Sequence, residues 1–168
     1  MTFLILSDTH GRIDRASRLI IRLHDEIDGV WHLGDNYRDF ELLEKRFRPL
    51  YHLAFQAVPG NCDFSCPAPN SRVIPVEGHR VFLQHGDAFG VSAHSVGQFP
   101  RMAKKERADV VLFGHTHVPL IEIEDNILYV NPGSLSLPRG GSEPSYALLR
   151  LEKNQPAKAS IFPYTEEI

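Results

Sequence analysis

Short apolar, β-prone runs in this 168-residue chain end again and again in a glycine set beside an acid, an amide or an imidazole. Five such clusters occur: Ser7-Asp8-Thr9-His10-Gly11, Gly34-Asp35-Asn36, Gly60-Asn61-Cys62-Asp63, His85-Gly86-Asp87 and Gly114-His115-Thr116-His117. Runs that are apolar throughout suit strands buried on both faces, and polar turns at their ends suit loops leaving a sheet. The chain is thereby confined to a layered α/β arrangement whose loops gather at the carboxyl ends of strands, where ligands collect in open sheets.

Residues 2–6 read as a buried strand, and residues 14–24 carry apolar positions at helical spacing with Asp14 available as an N-cap. A second strand over 29–35, a shorter helix over 40–47 and a strand near 50–58 complete a βαβαβ opening with a parallel core. After Asn61 the texture changes. Residues 67–70 form a proline-rich surface loop, and 72–77 with 80–84 read as a hairpin around Gly78-His79. Gly97 and Pro100 interrupt the region 92–101, so only its latter half is expected to be helical, in a helix ending over 103–107. A strand over 109–113, a hairpin of 120–124 with 127–130, and strands over 146–151 and 159–162 finish the chain. The expectation is one domain over 1–168, with two packed sheets flanked by helices, parallel in the first half and increasingly antiparallel in the second.

The clusters supply metal ligands. Asp8 and His10 are one residue apart on a loop and can point the same way, and Asp35 has two oxygens with which it could bridge a pair of ions. Asn61 offers an amide oxygen, while His85, His115 and His117 offer imidazoles. This mixed nitrogen and oxygen set suits Mn²⁺, Fe, Zn²⁺ or Ni²⁺ better than Mg²⁺ or Ca²⁺. Two cations about 3.5 to 4 Å apart can share a bridging hydroxide and clamp a phosphoryl group under in-line attack, which removes the need for a protein nucleophile. No Gly-x-Ser-x-Gly turn is present. Any one cluster alone reads as a turn or a cap, but five in a row carrying ligand types point to metal-assisted hydrolysis of a phosphate ester.

The order Asp-x-His, Gly-Asp, Gly-Asn, His-Gly, Gly-His-x-His resembles the calcineurin-like metallophosphoesterase superfamily, and the short length resembles its small bacterial and archaeal phosphodiesterase branch. The resemblance spans Met1 to about Leu137. It implies a four-layer αββα sandwich of two mixed sheets flanked by helices. It also implies a first metal held by Asp8, His10, Asp35 and His117, and a second held by Asp35, Asn61, His85 and His115, with Asp35 bridging. Asp35, Asn61 and His85 are the expected catalytic residues. The cofactor would be two divalent transition-metal ions, Mn²⁺ foremost with Ni, Fe or Zn as alternatives. The reaction would be hydrolysis of a small phosphate diester through a metal-bridging hydroxide. A phosphomonoesterase, a nucleotide pyrophosphatase, or a metal-binding scaffold without turnover, like the retromer subunit of similar fold, are the alternatives.

Many members of the superfamily carry a histidine directly after the motif asparagine, near the leaving group; here that place is Cys62, as is often so in the small branch. A thiol is a poor general acid at neutral pH. Asp63 and Asp87 follow their ligands and could orient them, Arg12 could neutralise a phosphate oxygen, and Thr116 could fix its neighbouring histidines. Asn131-Pro132-Gly133-Ser134 reads as a structural turn near the site. His24, His32, His52, His79 and His94 are assigned no chemistry.

A formal charge of −3, from 18 basic and 21 acidic residues, gives no basic stripe for a long nucleic acid. Cys62 and Cys66 are the only cysteines, and their C-x-x-x-C spacing fits neither a redox pair nor a zinc pair, so a cytoplasmic thiol state is expected. The first apolar run is too short for a signal-peptide core, and no run reaches the roughly 18 to 20 apolar residues that span a bilayer. The expected partner is a small phosphate ester, without membrane, with a homo-oligomer left open.

Overall fold

In the computed structural model, which describes residues 1–166, the opening third runs β1 (Thr2–Leu6), α1 (Asp14–Leu23), β2 (Gly29–His32), α2 (Tyr37–Phe47) and β3 (Ala54–Ala57). There follow β4 (Ser71–Val76), β5 (His79–Gln84), α3 (Phe99–Glu106), β6 (Val110–Leu112), β7 (Leu120–Glu124), β8 (Ile127–Asn131), β9 (Ser145–Arg150) and β10 (Lys158–Pro163). One sheet has the order β10-β9-β1-β2-β3 and the other β4-β5-β6-β8-β7.

The period-two alternation of strand side chains explains the layering. Leu4 and Leu6 face one way, into a core shared with Ala16, Leu19, Ile20 and Leu23 of α1 and Phe40, Leu43 and Phe47 of α2. Phe3 and Ile5 face the other way and meet Trp31, Val81, Leu83, Val110, Leu112, Leu128 and Val130 between the sheets. The intervening residues Phe82, Val111 and Tyr129 turn outward and are covered by Phe99 and Ala103 of α3. Three apolar interfaces thus separate four layers, αββα, as expected. No helix among the described residues is long and apolar enough to cross a membrane.

Three expectations need correction. The antiparallel trend expected of the second half has an exception: β5, β6 and β8 run parallel in the centre of the second sheet, with β4 and β7 antiparallel at its edges. The helix α3 carries the chain back between β5 and β6, and a crossover of that kind makes a parallel neighbour. Asp14 does not cap α1; it is the first helical residue, and the N-cap position falls to Ile13, which makes no side-chain cap. The helix α2 begins at Tyr37, three residues before the apolar pattern. Its first amide donates to Asp63 Oδ1 at 2.6 Å, a cap supplied by a distant loop that local spacing cannot show.

Pro100 falls in the first turn of α3, where a missing N–H costs nothing, so the helix tolerates it. In the β4–β5 hairpin the turn is Glu77-Gly78, both at positive φ, and Val76 pairs with His79. Positive φ at both central positions matches the right-handed twist of the strands.

Candidate metal centre

Asp8, Asp35, Asn61, His85 and His115 lie within four residues of the carboxyl ends of β1, β2, β3, β5 and β6. Those ends are adjacent across the two sheets, so loops far apart in sequence meet. Amide hydrogen bonds stitch them together: Asp8 N–H donates to Gly34 O, His10 N–H to Asp35 O, and Gly114 N–H to His85 O.

Five of the seven expected ligands, Asp8, His10, Asp35, His115 and His117, sit in the left-handed backbone region with φ between 47° and 69°. That conformation disfavours residues with a Cβ by about 1 kcal/mol or more each and persists only where the surroundings impose it. Here it turns consecutive side chains toward one point. The glycines between them have a steric reason. A Cβ on Gly60 would collide with Asp35 Oδ1, and one on Gly114 would collide with Ser7 Oγ.

Ligand atoms of Asp8, His10, Asp35 and His117 all lie within 4.8 Å of one another. His117 Nε2 is 3.1 Å from Asp8 Oδ1 and 3.3 Å from His10 Nε2. Next to this group, Asn61 Oδ1 lies 3.1 Å from His85 Nε2 and 3.0 Å from His115 Nδ1. Asp35 joins the halves, with its Oδ2 3.9 Å from His10 Nε2 and 3.5 Å from His85 Nε2. All seven predicted residues therefore lie in one continuous cluster, in which His85 Nε2 is also 3.9 Å from Asp8 Oδ1.

Asp8 is fully buried, and among the described residues its Oδ1 makes no hydrogen bond and has only imidazole nitrogens close by, His117 Nε2 at 3.1 Å and His85 Nε2 at 3.9 Å. Leaving such an oxygen unpaired is costly unless a cation meets it. The remaining atoms are poised in the same way. His85 Nδ1–H donates to Leu33 O at 2.6 Å and His117 Nδ1–H to Leu137 O at 2.6 Å, which leaves each Nε2 facing the centre. Histidine ligands are usually oriented through the other ring nitrogen in this way. The residues present fit divalent cations of the kind that accept imidazole and carboxylate together.

Electrostatics agree. Burial resists ionisation of Asp35, but the His85 hydrogen bond and the Cys62 N–H hold its carboxyl well below the usual range. Burial also resists charge on His85, yet the Asp35 bond and the Asp8 carboxylate raise its pKa to about 9. His117 rises similarly, against burial, through its contact with Asp8. His115 falls, from burial and from the neighbouring His85. The two buried carboxylates thus favour the protonated forms of His85 and His117, and a metal would take over that compensation.

The supporting residues divide. Asp63 accepts the N–H groups of Asp35, Tyr37 and Gly60. Thr116 Oγ1 accepts from Asn131 Nδ2 at 2.9 Å and from the Val118 amide, shaping the histidine loop. Asp87 is exposed and reaches only Gln84, at 3.5 Å. Cys62 donates its backbone N–H to Asp35 Oδ1 at 2.9 Å, and burial together with Asp35 pushes its thiol up to about 11. Arg12 is exposed and lines a cavity beside the centre.

Sequence reasoning gave no role to two supports, His32 and Asp39, and placed two others, Asn131 and Ser134, in a structural turn near the site. His32, fully buried, bonds Thr9 Oγ1 through Nε2 at 3.0 Å and accepts the Gly34 N–H at Nδ1. Asp39 Oδ2 accepts the Gly11 N–H. Ser134 Oγ donates to Asp8 O, and Asn131 Nδ2 donates to Gly114 O. The one signal available was an imidazole at position 32 within an otherwise apolar strand.

Comparison with known proteins accords with this geometry. A probable metallophosphoesterase of Bacillus subtilis, YsnB, is 31% identical over 92% of this chain and 86% of its own. The phosphodiesterase YfcE of Escherichia coli is 32% identical over 89% of this chain and 87% of its own. Vacuolar Protein Sorting 29 from Cryptosporidium parvum, at 16% identity, covers 96% of each chain with a TM-score of 0.72 and shares the fold. Residues 1–154 match the calcineurin-like phosphoesterase superfamily domain. With its loops converging on a ligand cluster of this composition, the chain belongs to the calcineurin-like phosphoesterase superfamily and is a phosphoric-ester hydrolase.

Proposed function

We propose that this chain, as one domain over 1–168, is a dinuclear metal-dependent phosphodiesterase acting on a small phosphate diester. One metal would be held by Asp8, His10, Asp35 and His117, and the other by Asp35, Asn61, His85 and His115, with Mn²⁺ foremost and Ni, Fe or Zn as alternatives. The observation that carries this reading is the buried Asp8 Oδ1, which faces the His117 imidazole at 3.1 Å in a group of four donors that Asp35 joins to Asn61, His85 and His115. Bound divalent cations would supply an activated water nucleophile at neutral pH and a clamp for phosphoryl oxygens.

The two hydroxyls beside Asp8 are held in hydrogen bonds and the nearby Cys62 thiol resists ionisation, which supports water as the nucleophile. Ser7 is buried and donates to Asp8 Oδ2 at 2.6 Å, and Thr9 is buried against His32. Cys62 is exposed, and the partial loss of solvent beside Asp35 raises its thiol to about 11, which opposes the thiolate at neutral pH. Asn61, which is exposed, and His115, half-buried, would orient the ester beside the buried His85. Cys62 and Cys66 are free thiols, which fits the cytoplasm.

The test is hydrolysis of an activated diester and its matching monoester by metal-stripped protein, with Mn²⁺, Ni²⁺, Zn²⁺ or Mg²⁺ restored and Asp35→Asn as control. Metal-dependent diester turnover that the variant loses is expected. Preference for the monoester, or turnover without metal, contradicts the proposal.

A further inference from the structure

A cavity of about 240 Å³ opens beside the metal centre, lined by Arg12, Asp14, Arg15, Arg18, Ser136 and Glu166. Its walls are the loops that hold two expected ligands. The Arg12 amide donates to Thr9 O within the Asp8-Thr9-His10 turn. On the other side Ser136 N–H donates to Ser134 Oγ, which itself donates to Asp8 O, and the neighbouring Leu137 carbonyl fixes His117. The cavity therefore adjoins the His10 and His117 side of the cluster.

We infer that this cavity is an anion subsite, and that the diester hydrolysed at the centre carries a second anionic group, a terminal phosphate or carboxylate, on one of its arms. The inference rests on the phosphodiesterase reading and adds to it the chemical class of the substrate.

Four observations converge. Three guanidinium groups, Arg12, Arg15 and Arg18, meet here with two carboxylates, leaving net positive charge. Among the described residues neither Arg12 nor Arg18 has an ion-pair partner, and both are exposed. The N-terminus of α1 joins the cavity at Asp14 and Arg15, and Ile13 gives it no side-chain cap, so amides of its first turn lack a side-chain acceptor. Ser136, only 8% exposed, has a hydroxyl with no hydrogen-bond partner among the described residues.

Arg15 shows how an acid is received. Its Nη1 donates to Leu135 O at 2.7 Å and its plane lies 5.2 Å from the Tyr164 ring, so the guanidinium is fixed. Its Nη2 takes the Glu166 carboxylate at 3.3 Å, although that side chain is 65% exposed. A weakly held surface carboxylate already docks where a substrate anion would, and a phosphate able to reach Arg12 and Arg18 as well would displace it. The volume is below the roughly 300 Å³ at which pockets for whole ligands begin, which suits one charged group at the end of an arm.

The experiment has two arms on the full chain. Metal-stripped protein is titrated with inorganic phosphate, and the arginine side-chain N–H resonances are followed in the wild type, Arg12→Gln and Arg18→Gln. Saturable shifts are expected at Arg15 and Arg18, with affinity weakened about tenfold by loss of one charge-assisted bond. The Mn²⁺-loaded enzyme is then given two activated diesters that differ only in a terminal carboxylate or phosphonate on the retained arm. The ratio of kcat/KM for the charged over the neutral ester is expected to be about 10 or more and to fall toward 1 in each variant. A wild-type ratio near 1, or phosphate shifts absent from these arginines, overturns the subsite. Failure of both esters to react while the shifts remain would instead overturn the phosphodiesterase reading and uphold the anion site.

Discussion

The carboxylate of Asp63 accepts the backbone N–H of Asp35 at 3.1 Å, and with its remaining capacity it takes the amides of Gly60 and Tyr37. One side chain thereby locks the loop after β2, the loop after β3 and the start of α2. Asp35 has φ 49°, a conformation that needs such support. Asp63→Ala is expected to lower metal affinity or kcat/KM by about 10- to 100-fold, the usual cost of removing an outer support of a ligand. Metal titration and steady-state kinetics check this. Unaltered affinity and rate would show that the loops hold themselves.

The two halves of the cluster predict separable occupancy. His117→Ala removes a ligand from the Asp8 and His10 half, and His115→Ala removes one from the Asn61 and His85 half. Metal analysis after dialysis is expected to find about two ions per wild-type chain and about one in each variant. Both variants retaining two, or the wild type holding one, contradicts the dinuclear assignment.

His32 is fully buried, and burial outweighs the attraction of Asp39, Asp8 and Asp63 to bring its pKa from 6.5 down to about 4. As pH falls, the unfolded chain therefore takes up this proton first. The folded protein loses stability between pH 6.5 and about pH 4 and no more from this group below that; the whole effect is roughly 3 kcal/mol. In metal-stripped protein, urea titrations should show the advantage of the wild type over His32→Gln shrinking across that window. An advantage that stays constant from neutrality to acid refutes this account.

Cys62 lies beside Asn61 with its thiol held at about 11 by burial and by Asp35, so it is a weak proton donor. Cys62→His places an imidazole there, and general acid catalysis of that kind is worth about 10² or more where the leaving group needs a proton. The variant is expected to speed esters with poor leaving groups and to change activated aryl esters little. Equal rates for both classes in variant and wild type would show that position 62 does not meet the leaving group.

The residues that gather in the cluster were legible in the sequence because their loops follow β-prone runs and carry metal-donor chemistry, as in Gly114-His115-Thr116-His117 after Val110–Leu112. Strand positions were equally legible, since alternation reports burial on the faces of a sheet. Helix starts were not. The cap of α2 comes from Asp63, 26 residues away, and no local pattern encodes it.

By itself, then, the sequence determined the layered class, the five loop clusters and the kind of chemistry they can perform, because side-chain type and period are local properties. Only the tertiary structure decided which donors share a centre, through left-handed turns at Asp8, His10, Asp35, His115 and His117 that interstrand packing imposes. It alone set β5, β6 and β8 parallel, buried His32 beneath Thr9, and brought Ser136 to Arg12, Arg15 and Arg18 across more than a hundred residues of chain. Each of these depends on contacts between distant segments, and such contacts exist only once the two sheets have closed on their shared apolar core.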